Sequence, residues 1–187
     1  MESFKSDEEN LLDAIKNKNI EKVKLILENS NINNRVLNLN ETNENGNYPL
    51  LKAVINDNVE IVKLLMAYAN QHQIVLEMNK RNKGNEYPIF NAIDKDNTAM
   101  VKLLIEYATQ HQIILNLNEK YIFIMYPLTV AITNDNIEIV KLLINYANQN
   151  HFILKYDKTY VKILPNFAFK SKKLIQDYKK EKKREKV

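Results

Sequence analysis

The feature that most constrains this chain is a period of 39 residues. Tyr48-Pro49 returns at that spacing as Tyr87-Pro88 and Tyr126-Pro127. Val62-Lys63-Leu64-Leu65 returns as Val101-Lys102-Leu103-Leu104 and Val140-Lys141-Leu142-Leu143, and Tyr68-Ala69 as Tyr107-Ala108 and Tyr146-Ala147. A diverged copy precedes them: Leu11, Leu12, Ala14, Ile20, Val23, Lys24 and Leu25 stand 39 positions before Leu50, Leu51, Ala53, Val59, Val62, Lys63 and Leu64. Four tandem units, about residues 3–40, 41–79, 80–118 and 119–157, therefore occupy most of the 187 residues. A fixed period of this size specifies a stacked array, in which each unit buries its apolar face against its neighbours.

The second unit shows how one copy folds. Asn43-Glu44-Asn45-Gly46-Asn47 reads as a tight turn, with the Asn-Gly pair supplying positive φ values. Tyr48-Pro49 then opens a helix, since a proline N–H has no partner to lose in the first turn. Leu50, Ala53 and Val54 form a short helical stripe that ends near Asn56-Asp57-Asn58. Asn58 is placed to cap a second helix at Ile61, and residues 59–69 are apolar on more than one face, as a helix between two neighbours must be. Residues 74–79 read as a short extended segment. A first helix of about eight residues cannot persist alone, given the cost of helix nucleation, so the unit needs its neighbours.

The order of turn, Gly46-x-Tyr48-Pro49-Leu50-x-x-Ala53, short helix, Asn56-Asp57-Asn58 and Val59-Glu60-Ile61-Val62-Lys63-Leu64-Leu65 resembles the ankyrin repeat. The resemblance implies an all-α fold, an α-solenoid of four ankyrin-like helix-turn-helix repeats with finger loops and a C-terminal capping helix. HEAT-type repeats come closer on period alone, at about 40–47 residues, but lack this turn and Tyr-Pro start. The chain departs from the ankyrin pattern in three places. Tyrosine stands at the usual Thr position, and Leu51, Phe90 and Thr129 stand at the usual His position, so the side-chain hydrogen bonds that tie adjacent turns must be replaced. The extra residues of the longer period fall after Ala69, in Asn70-Gln71-His72-Gln73, as either a longer second helix or a larger loop.

Both ends differ from the middle. The first unit has lost its Tyr-Pro start and carries Ser6-Asp7-Glu8-Glu9, a capping-box pattern that closes the open end. The fourth finger, Tyr121-Ile122-Phe123-Ile124-Met125, and the next finger position, Tyr160-Val161-Lys162-Ile163, are apolar. These two either pair as neighbouring strands or leave Phe123 and Met125 to anchor a partner. With the array drawn over residues 1–165, residues 166–187 hold the capping helix and a basic tail, Phe167, Leu174, Ile175 and Tyr178 forming the helix's buried face. Residues 170–187 carry nine basic against three acidic side chains, so the net charge of +4 resolves into a basic tail on a mildly acidic body. Asparagine and lysine are abundant and glycine nearly absent, which suggests AT-rich coding bias as much as function, and the asparagine content carries no mechanistic weight here.

No catalytic constellation, cofactor motif or metal site is legible. His72 and His111 are repeat-equivalent and read as solvated helix-end residues, Asp57, Asp96 and Asp135 as turn residues, and Tyr68, Tyr107 and Tyr146 as packing between repeats. With no cysteine, no signal peptide and no apolar run near the roughly 20 residues of a membrane span, the expectation is a soluble monomer of the cytoplasm, with the nucleus open to it through the tail. The expected function is that of a non-catalytic protein-interaction module or scaffold. The ankyrin resemblance implies that a protein partner meets the finger tips and first helices, here Asn45, Asn47, Lys52, Glu86, Asn91, Phe123 and Met125. The alternative is binding of nucleic acid or an anionic surface through Lys179, Lys180, Lys182, Lys183, Arg184 and Lys186.

Overall fold

The computed structural model describes residues 5–121, 125–163 and 169–184. Tertiary contacts divide the chain into two compact units, one ending at Asn91 and the other beginning at Ala92. Among the described residues every regular element is a helix. The first unit holds α1 (Asp7–Lys16), α2 (Ile20–Ile32), α3 (Pro49–Ile55) and α4 (Val59–Gln71). In it α1 packs on α2 and α3, and α4 packs on α2 and α3. Helix α5 (Pro88–Asp94) spans the division, and the second unit holds α6 (Thr98–Gln110), α7 (Pro127–Thr133), α8 (Ile137–Gln149), α9 (Lys158–Ile163) and α10 (Phe169–Arg184). There α8 packs against α6, α7 and α10, and α7 packs against α9.

The first helices α3 and α7 are held by burial rather than by side-chain caps. In α3 Pro49 sits in the first turn, Tyr48 contributes no side-chain capping bond, and Pro49, Leu50, Leu51, Ala53 and Val54 are buried. The second helices are capped in register. Asn19, Asn58, Asn97 and Asn136 each accept from the backbone N–H three residues on, at 2.9–3.0 Å. Each such cap contributes about 1 kcal/mol.

Both kinds of helix end with a left-handed residue that is not glycine. Lys18, Asp57, Asp96 and Asp135 hold that place after α1, α3, α5 and α7, and Asn34, Gln73, Gln112 and His151 hold it after α2, α4, α6 and α8, all with φ between 50° and 57°. Around Asp57 the Asn58 N–H donates to Ala53 O at 3.0 Å and the Asp57 N–H to Val54 O at 2.9 Å, the paired bonds of a Schellman motif. The recurring aspartates are therefore turn residues, as their spacing suggested. The residues added after Ala69 divide accordingly: Asn70 and Gln71 lengthen α4, while His72 caps it and Gln73 makes the turn.

Asparagine and tyrosine replace the hydrogen bonds lost with the usual Thr and His. Asn40 Nδ2 donates to Val75 O at 2.8 Å while its Oδ1 accepts from Glu77 N–H at 2.9 Å. In the second unit Asn118 does the same to Ile153 O and Lys155 N–H, at 2.9 and 2.7 Å. Asn56 Nδ2 reaches Ile15 O at 2.7 Å, and Asn134 Nδ2 reaches Ile93 O at 3.1 Å. The Tyr68 hydroxyl accepts from Leu37 N–H at 3.0 Å, and the Tyr146 hydroxyl accepts from Leu115 N–H at 3.1 Å. Asparagine thus carries many of the inter-repeat ties, which corrects the reading that gave it no mechanistic weight: an amide side chain offers donor and acceptor together, as an extended backbone segment requires.

The strand pairing considered for Tyr160-Val161-Lys162-Ile163 does not form, because these residues belong to α9. Asp157 starts that helix by accepting from Tyr160 N–H at 2.6 Å, while its own N–H donates to Thr129 Oγ1 at 2.9 Å. In α10, Ser171, Ile175 and Tyr178 are buried and Leu174 is half-buried; Phe167 lies outside the described residues.

Candidate functional site

Two finger loops of the first unit are built alike. In the 43–47 loop Gly46 N–H donates to Asn43 O at 2.8 Å and Asn43 N–H to Asn47 O at 2.9 Å, with Gly46 left-handed at φ 76°. In the 82–86 loop Asn85 N–H donates to Asn82 O at 2.9 Å and Asn82 N–H to Glu86 O at 3.1 Å, and the left-handed residue is Asn85. The turn is therefore a three-residue hairpin with one left-handed position, and only Gly46 of the Asn-Gly pair has the positive φ expected of both. The fingers interlock. Lys83 N–H donates to Asn45 O at 3.0 Å, and Asn82 Nδ2 donates to Asn47 Oδ1 at 2.8 Å. A Cβ on Gly46 would come within 3.1 Å of Asn82 Cα, a tight contact that the neighbouring finger would have to relieve, so it too favours glycine there.

A groove of about 630 Å³ lies in the first unit beside the 43–47 finger. One wall is α1, with Glu8, Glu9, Leu12, Asp13 and Lys16; the other is the finger, with Glu41, Glu44, Asn45 and Asn47, and Lys52 of α3 lies between. The α1 wall is set by ion pairs and by its cap. Ser6 Oγ accepts from Glu9 N–H at 3.1 Å and the Glu9 carboxylate accepts from Ser6 N–H at 3.0 Å, a complete capping box. Arg35 pairs with Asp7 at 2.9 Å and with Glu8 at 3.3 Å. Lys5 pairs with Asp13, and that hydrogen bond holds the Asp13 carboxyl below its ordinary range and the Lys5 ammonium above its own. Among the described residues the carboxylates of Glu41 and Glu44 make no such pair, and both side chains are exposed.

A family model for ankyrin repeats in three copies matches residues 11–116, and a single ankyrin-repeat model matches residues 125–152. The chain belongs to the ankyrin-repeat family. No curated protein matches it. Ankyrin repeats are in general protein–protein interaction modules, so the finger and first-helix residues are the ones whose placement matters.

In this ankyrin array Asn45, Asn47 and Lys52 all line the groove, Asn45 exposed and the other two half-buried. Glu86 is held within its own finger, its Oε2 accepting from Asn82 Nδ2 at 2.7 Å. Asn91 is buried, 8% exposed, and its Nδ2 donates to Tyr87 O at 3.2 Å. Met125 is half-buried and its carbonyl accepts from Tyr121 N–H at 2.9 Å, the same finger-closing bond; Phe123 lies outside the described residues. Glu41 and Glu44 escaped the sequence reading, although two acids just before Asn45 were the available signal.

On α10 Lys179, Lys180, Lys183 and Arg184 are exposed and Lys182 is half-buried, while Lys186 lies outside the described residues. The Lys179 ammonium lies 4.7 Å from the centre of the Tyr156 ring, and Lys180 pairs with Asp177 at 3.7 Å. His72 is engaged: its Nε2 is 2.6 Å from Asn31 Oδ1 and its ring stacks on Tyr68 at 4.3 Å. Among the described residues no three His, Asp or Glu side chains gather as a metal-binding group, and no helix is long and apolar enough to cross a membrane.

Proposed function

We propose that this ankyrin-repeat protein is a non-catalytic interaction module that receives a protein partner on the finger and first-helix face of its first unit. The observation that supports this is the groove itself, which brings Glu41, Glu44, Asn45, Asn47 and Lys52 of one stretch together with Glu8, Glu9 and Asp13 of α1, an earlier part of the chain. Its walls are fixed by the α1 capping box and by the interlocked fingers, so the receptor loses little conformational entropy when a partner docks. Met125 and Phe123 extend the reading to the fourth finger as candidate anchors.

The test is retention of partners from native extract by the full chain and by the double variant Asn45→Arg/Lys52→Glu, with cross-linking to map the contacts. Partners lost by the variant and cross-linked to the finger or to α1 are the expected result. Retention unchanged by that variant, and by Phe123→Ser with Met125→Ser, overturns the assignment of this face.

The exposed cations of α10 favour a second reading, an anionic partner such as nucleic acid held by the tail. That reading expects log affinity for duplex DNA to fall with log salt at a slope of about −0.9 per phosphate contact. Binding that survives removal of residues 179–187 rules it out.

A further inference from the structure

We propose that Asn45 is the site at which this chain undergoes succinimide-mediated deamidation, and that the reaction acts on the finger interlock and the groove rim. The pair Asn45-Gly46 is the one place in the sequence where asparagine precedes glycine. Asn45 is exposed, and its side-chain amide makes no hydrogen bond among the described residues. Gly46 has no Cβ to obstruct approach to its nitrogen. Both the left-handed φ of 76° and the 3.1 Å approach of Asn82 Cα favour glycine at that position, at the finger tip where the reactive pair stands.

The Gly46 backbone nitrogen attacks Asn45 Cγ, a C–N bond closes the five-membered ring, and the Gly46 N–H proton passes through solvent to the side-chain amide nitrogen, which leaves as ammonia as its bond to Cγ breaks. Water then opens the ring. Attack at the side-chain carbonyl gives aspartate, and attack at the main-chain carbonyl gives isoaspartate; no oxidant or reductant takes part. Gly46 N–H is engaged with Asn43 O at 2.8 Å, so the step runs through local opening of the exposed tip.

The products change two features already described. Either one places a carboxylate beside Glu44 on the groove rim. Isoaspartate also adds a methylene to the main chain, in the residue whose carbonyl accepts from Lys83 N–H at 3.0 Å. The 82–86 finger is the internal control, because its left-handed residue is Asn85 and Glu86 follows it.

The experiment is incubation of the folded full chain at mildly alkaline pH, followed by peptide mapping with mass spectrometry and an isoaspartate assay, beside Asn45→Gln and a urea-unfolded sample. The expected result is conversion at Asn45 ahead of every other asparagine in the folded chain, an isoaspartate signal absent from Asn45→Gln, and faster amide exchange at Lys83 in the converted fraction. Earlier conversion at Asn43, Asn85 or elsewhere overturns the proposal. So does conversion of Asn45 in the unfolded sample alone, which would mean that the Asn43–Gly46 bond protects the tip.

Discussion

The two ends of this array close it with different sequences. At the first end α1 and α2 keep the 39-residue phase: Leu11, Ala14 and Val23 are buried as Leu50, Ala53 and Val62 are, and the exposed side is closed by a capping box and ion pairs. At the other end the phase is abandoned. The residue 39 positions after Tyr146 is Glu185, yet the Tyr178 hydroxyl accepts from Leu154 N–H at 3.3 Å, as Tyr146 accepts from Leu115 N–H and Tyr68 from Leu37 N–H. Ser171 Oγ donates to Asp135 at 2.6 Å, where within the array Asn136 Nδ2 donates to Asp96 at 2.8 Å. What the second end must supply is a hydroxyl in the right place on a packed helix, and α10 puts it there without the sequence phase.

The comparison breaks most severely at Tyr178. Tyr178→Ala removes a buried aromatic ring of α10 and is expected to cost about 3–5 kcal/mol, against about 2–5 kcal/mol for Leu11→Ala at the other end. Urea unfolding combined with hydrogen exchange should show the first loss in the second unit and the second in the first unit. If Tyr178→Ala leaves exchange in α8 unchanged, α10 is not the covering element. Tyr178→Phe keeps the ring and leaves the Leu154 N–H unpaired, so a loss of about 1–3 kcal/mol should follow. A loss as large as that of the alanine variant would place the role of Tyr178 in its hydroxyl alone.

The small polar groups at the two ends sharpen the contrast further. Ser6→Ala should cost about 1 kcal/mol through the α1 cap, and adding Glu9→Ala should cost little more, since both belong to one reciprocal motif. Thermal denaturation of both variants measures this.

The smallest effect lies at high pH. Burial pushes the Tyr48 phenol well above its ordinary value, and burial raises Tyr146 as well, partly offset by its bond from Leu115 N–H. The unfolded chain releases these protons near pH ~10 and the folded chain does not. Stability is therefore complete below that pH and declines as pH rises beyond it. Tyr48→Phe should flatten the decline in the first unit alone; an unchanged profile would show that Tyr48 titrates freely in the folded state.

Much of the fold was legible because each repeat states its own helices. Tyr48-Pro49, Asn58 three residues before Ile61, and Ser6 three before Glu9 are local signals, and each acts over one helical turn. The α9 helix was not legible, because Tyr160 to Ile163 is apolar and β-branched, and its start depends on Asp157 bonded to Thr129, 28 residues earlier. The inter-repeat ties were hidden for a similar reason. An asparagine that hooks a neighbour 35 and 37 residues away, as Asn40 does, has no local mark separating it from one in a turn.

The candidate surface was half visible. Asn45 and Lys52 could be named from their repeat positions, but that position alone gave no hint that Asn91 is buried against Tyr87 or that Glu86 is tied within its finger.

The sequence by itself determined the period, the helix pairs, the caps and the family, since these rest on residues within a turn or two of one another and recur in phase. Tertiary structure decided which asparagines tie one repeat to the next, which end helix covers the array and where a groove opens. Those outcomes depend on hydrogen bonds and burial between segments some 25 to 40 residues apart, whose partners are fixed only when the repeats stack.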